Sequence, residues 1–70
     1  MAYSPNVLLK IVKLGGNLEI YQACSPQVLE KVVIAAKETG STVKIKGNYS
    51  PNVIYHLLSI GGSNITIICE

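Results

Sequence analysis

Tyr3-Ser4-Pro5-Asn6-Val7 and Tyr49-Ser50-Pro51-Asn52-Val53 are one pentapeptide motif written twice, and a looser copy, Cys24-Ser25-Pro26-Gln27-Val28, lies between them. Each copy opens the same succession: an apolar-rich stretch, a glycine break, then a short β-branched run. Self-similarity at a period of 20 to 25 residues is the mark of a stacked repeat architecture. The units read 4–24, 25–49 and 50–70, and together they occupy one domain, residues 1–70. Their breaks are Gly15-Gly16-Asn17, Thr39-Gly40-Ser41 and Gly61-Gly62-Ser63-Asn64. Ala36-Lys37-Glu38-Thr39 lengthens the second unit by about one helical turn.

The motif is a helix start. Serine is a strong N-cap and proline fits the first helical position, so helices are expected after Ser4, Ser25 and Ser50. Glycine closes them, since it accepts the left-handed conformation of a helix end. The runs Leu18-Glu19-Ile20-Tyr21, Val43-Lys44-Ile45-Lys46 and Ile65-Thr66-Ile67-Ile68 then alternate with period two, as strands do. Helices joining successive strands call for a parallel sheet with right-handed crossovers.

Superposing the units assigns faces. Helical positions 7/28/53, 8/29/54, 11/32/57 and 12/33/58 are all Val, Leu or Ile and form one apolar stripe. Positions 10/31/56, Lys, Lys and His, form a solvent row. On the strands, 18/43/65 and 20/45/67 are apolar, while 19/44/66 are Glu, Lys and Thr and 21/46/68 are Tyr, Lys and Ile. Helices on both sides would need both faces apolar. The fold class expected is therefore α/β: three α-β units forming a parallel three-stranded sheet with helices on one face. In its principle of one strand and one helix per unit this resembles leucine-rich-repeat and related α/β solenoids. Their leucine consensus is missing, and no functional residue follows from the likeness.

Composition narrows the function. Hydrophobic residues make up 49% of the 70 and charged residues 14%, half the usual share, so the chain has little with which to coat its outside. A short chain buries only about 60% of its surface on folding, which leaves a solitary copy marginal. A second copy is the expected cover. Six lysines against four glutamates, with no arginine, argue against nucleic acid as a partner. No apolar run reaches the roughly 18 residues of a membrane span. Met1-Ala2-Tyr3-Ser4-Pro5 lacks a basic leader region, and two cysteines are too few for a disulfide scaffold. The expected setting is cytoplasmic.

A solenoid needs capped ends, and this reading expects both ends of the stack uncapped. An uncapped parallel edge strand invites another chain. Head-to-tail homo-oligomerisation is favoured over an isologous dimer. The expected interface comprises Ile65, Ile67 and Ile68 of the last strand, with Leu9, Tyr55 and Tyr3.

Chemistry is sparse. His56 aligns with two lysines, so it points to water; a triad would need Glu19, Glu30, Glu38 or Glu70 and a nucleophile brought in by folding. Cys24, Cys69 and His56 lack zinc-like spacing. In strand order 1-2-3 the cysteines follow strands about 9.6 Å apart, beyond the roughly 7 Å a disulfide bridges. The glycine doublets lead from helix to strand, the reverse of a phosphate loop. The chain is read as non-enzymatic, without metal or cofactor. The alternative is a small anionic ligand, such as a nucleotide, held where strands end and helices begin. Lys46, Asn48, Tyr49, Ser50, Asn52, Tyr21 and Lys44 are its candidate residues.

Overall fold

The computed structural model describes residues 3–46 and 49–69. Its elements run α1 (Pro5–Lys13), β1 (Leu18–Ile20), α2 (Pro26–Thr39), β2 (Val43–Lys46), α3 (Pro51–Gly61), a 3-10 turn (Gly62–Asn64) and β3 (Ile65–Ile68). The strands form one parallel sheet in the order β1-β2-β3. The chain is thus a small α/β domain of three helices and a three-stranded parallel sheet, as the alternation of helix-start and strand signals requires.

The helix starts follow the motif, with one difference. Ser4 and Ser25 are N-caps whose hydroxyls accept from Val7 N–H and Val28 N–H, both at 3.4 Å. Ser50 has the same extended backbone, yet its side chain makes no capping bond. There the freed amides of Val53 and Ile54 rely on the Ser50 carbonyl alone.

The helix ends diverge more. Gly40 closes α2 in the left-handed conformation at φ 76°, where a side chain would be strained. Leu14 caps α1, with Gly15 at positive φ just beyond it. In α3 the helix runs through Gly61, and the break falls at Gly62. Gly61 is required by space: a Cβ there would stand 2.5 Å from both Val33 Cγ1 and Ile65 Cγ1. Its missing side chain lets α3 lie close to α2 and to the start of β3.

Register follows the superposed units. Leu18 pairs with Val43 and Val43 with Ile65; Ile20 pairs with Ile45 and Ile45 with Ile67. These residues turn toward the helices and join the core with Leu8, Val12, Leu29, Val32, Val33, Ala36 and Leu57. The intervening row Glu19, Lys44 and Thr66 is exposed. β1 is one residue shorter than expected, because Tyr21 falls outside the ladder.

Asparagines and hydroxyls tie together the end of the sheet where the strands start. Asn17 Oδ1 accepts from Thr42 N–H at 2.8 Å, and Asn64 Nδ2 donates to the Ser41 carbonyl at 3.0 Å. Ser41 is buried, its hydroxyl 2.9 Å from Thr39 Oγ1. Thr39 in turn donates toward the Val12 carbonyl on α1. Among the described residues no buried side-chain nitrogen or oxygen lacks a partner.

Candidate functional site

Two kinds of surface are candidates: the mouth where strands end and helices begin, and the two lateral edges of the α/β stack. At the mouth, Tyr21, Gln22, Ala23, Lys46 and Tyr49 line a concavity of ≈ 230 Å³. The structure thereby brings together three of the candidate ligand residues, Tyr21, Lys46 and Tyr49. Asn48 lies outside the described residues. Ser50 and Asn52 are exposed at the start of α3, and Lys44 is exposed on the open sheet face, lining a different depression with Asn17, Leu18, Glu19 and Thr42.

The tyrosines at the mouth have partners. Tyr49 is half-buried and its hydroxyl accepts from Cys24 N–H at 3.0 Å, joining the second and third copies of the motif. Tyr21 is exposed and donates to Glu19 Oε1 at 3.1 Å. Tyr3 is fastened to the end of β1 by a reciprocal amide clamp: its N–H donates to Gln22 Oε1 at 3.0 Å, and Gln22 Nε2 donates to its carbonyl at 2.9 Å.

The edges are the larger feature. On the β1 side, Tyr3, Leu8, Ile11, Leu18, Ile20, Glu19, Tyr21 and Gln22 line a groove of ≈ 340 Å³. Leu14 stands 78% exposed at the end of α1, and Val7 is exposed near the helix's start. On the β3 side, Tyr55 is 67% and Leu58 36% exposed, and Ile54, Ile67 and Ile68 are half-buried. Of the expected interface residues, Ile67, Ile68, Tyr55 and Tyr3 reach these edges. Ile65 is buried against the helices. Leu9 turns inward instead, lining the groove between α1 and α2 with Lys13, Lys31, Ile34, Ala35 and Glu38. It is a helix-to-helix contact within the chain.

His56 is exposed, as its alignment with lysines implies, but the fold supplies an acid that the linear sequence placed far away. Its Nε2 lies 2.7 Å from Glu30 Oε1, joining α3 to α2. Among the described residues no nucleophile is seen hydrogen-bonded to that pair: the serine nearest in sequence, Ser59, donates to the His56 carbonyl. Both cysteines are free thiols, Cys24 half-buried and Cys69 exposed. Among the described residues no three His, Cys, Asp or Glu side chains gather as a metal site, and no helix is long and apolar enough to cross a membrane. The Tyr3–Gln22 clamp escaped the sequence reading, although Gln22 directly after a strand was the available signal.

No protein-family model, curated protein or solved structure matches the chain.

Proposed function

We propose that this chain is a non-enzymatic α/β repeat protein that adds copies of itself head to tail, serving a structural or interaction role. The observation that carries the reading is how one set of four apolar positions is buried in each unit. In the middle unit Leu29, Val32, Val43 and Ile45 are all fully buried. In the first unit the aligned Leu8 and Ile20 are buried, but Ile11 and Leu18 remain partly exposed. In the third unit Leu57 and Ile65 are buried, but Ile54 and Ile67 remain partly exposed.

The two edges therefore lack opposite halves of one packing arrangement. Val12 and Val33 are fully covered, whereas the aligned Leu58 is 36% exposed and has no further helix beside it among the described residues. Placing α1 of a second copy against α3 supplies that helix and repeats the α1–α2 and α2–α3 contacts already present. The same placement sets β1 of the second copy beside β3, where it pairs the edge strand. Covering apolar surface at about 25 cal/mol per Å² drives the union. An isologous dimer would match like with like and leave this complementarity unused. A reducing, cytoplasmic setting accords with two free thiols.

Sedimentation velocity over a micromolar concentration series tests the reading. Assembly should weaken by an order of magnitude or more in Leu58→Glu, which places a charge on the proposed contact without touching the buried core. A wild-type chain that stays monomeric throughout rejects the proposal.

A second reading is supported by the ≈ 230 Å³ concavity at the mouth, where Lys46 converges with Tyr21 and Tyr49. It makes the chain a binder of a small phosphate-bearing ligand. Thermal shift with inorganic phosphate and a nucleotide panel tests it: stabilisation lost in Lys46→Ala supports the site, and no shift with any of them removes it.

A further inference from the structure

We propose that the junction between two copies is locked by Tyr3 and Lys10 of the incoming copy, seated against Tyr49 and Tyr55 of the receiving one. The inference rests on the head-to-tail reading above and specifies its register. It extends contacts that the chain already makes between its own units.

Consider first helical positions 9/30/55 and 10/31/56. Glu30 on α2 meets His56 on α3 at 2.7 Å, and Leu9 on α1 lines one groove with Lys31 on α2. In one case by a direct contact and in the other by lining a shared groove, then, the first position of one unit is set beside the second position of the next. The position left over on the third unit is Tyr55, 67% exposed, and the one left over on the first unit is Lys10, also exposed. A junction with the same geometry brings the Lys10 ammonium of the second copy to the Tyr55 ring. A cation over an aromatic face is an attractive pair.

Positions 3/24/49 give the second contact. The Tyr49 hydroxyl accepts the backbone N–H of Cys24, its counterpart one unit back. Tyr3 is the same residue in the same pentapeptide, and its counterpart one unit back, across the junction, is Tyr49 of the other copy. The Tyr3 hydroxyl is thus placed to accept from the Tyr49 N–H. The Gln22 clamp holds the Tyr3 backbone at 3.0 and 2.9 Å before any partner arrives, so little further ordering is needed there. The middle copy of the motif carries Cys24 at this position, and the first and third carry tyrosine.

The test is a charge swap between exposed positions that leave the core intact, read by sedimentation equilibrium. Tyr55→Lys sets two ammonium groups against each other and should weaken association about tenfold. Adding Lys10→Glu to the same chain should restore it and make it more salt-dependent. Tyr3→Phe removes only a hydroxyl and should weaken association about fivefold. If wild type assembles but Tyr55→Lys is neutral, or if Lys10→Glu gives no rescue, this register is wrong while self-association stands. Neutral Tyr3→Phe strikes out the hydroxyl contact. A wild type that remains monomeric overturns both the lock and the reading beneath it.

Discussion

The second unit and the two outer units use the same building plan but meet different surroundings. α2 is flanked by a helix on each side and β2 by a strand on each side, and Leu29, Val32, Val33, Val43 and Ile45 are fully buried. Among the described residues α1 and α3 each pack against one other helix, and Val7, Leu14, Tyr55 and Leu58 remain exposed. The residue types differ little between these regions: Leu58 is as apolar as Val33, with which it aligns. Burial here follows the presence of a flanking helix or strand rather than hydrophobicity, which is the contrast that the head-to-tail proposal rests on.

The sharpest way to test this contrast is in the middle. Leu29→Ala should cost about 2–5 kcal/mol, because α2 is held on both sides and cannot collapse into the space. Denaturant unfolding measures it, and a loss below about 1 kcal/mol would show the centre to be loosely packed. Gly61→Ala should cost about 1–3 kcal/mol by forcing apart Val33 and Ile65, each 2.5 Å from the added carbon. The same assay checks it. At the edge, Leu58→Ala should cost an isolated copy less than about 1 kcal/mol at dilutions where no assembly forms. Under the proposed head-to-tail assembly its larger effect falls on association, so thermal unfolding should show a deficit that grows with protein concentration.

Smaller effects separate the helix starts. Ser25→Ala should lose about 1 kcal/mol, since its hydroxyl accepts the Val28 N–H. Ser50→Ala should lose only a few tenths, because that hydroxyl makes no capping bond. Equal losses would contradict the observed difference between the caps. Glu30→Gln should change stability by less than about 1 kcal/mol, as expected for a Glu30–His56 contact with both partners in reach of water. Urea titrations of the three variants decide these points.

The element order, strand order and register were legible in the chain because the Ser-Pro starts and the period-two runs recur in phase. Leu18, Val43 and Ile65 could be aligned by counting, and they pair in the sheet. Helix ends were less legible. Gly61 and Gly62 look interchangeable in sequence, yet close packing on Val33 keeps the first in the helix and moves the break to the second. The same limit applies to the candidate sites. Leu9 and Tyr55 occupy one aligned position, but only Leu9 has a following helix within the chain to cover it. The Glu30–His56 contact and the Tyr3–Gln22 clamp join residues far apart in sequence, and each became visible only once the units were stacked.

Sedimentation equilibrium of the wild-type chain at micromolar concentration addresses the edges most directly. Particles of several times 7.5 kDa, dissociating when a charge is placed at Leu58, are the predicted result. A single species of 7.5 kDa at every concentration would mean that these apolar edges are finished surfaces of a lone molecule.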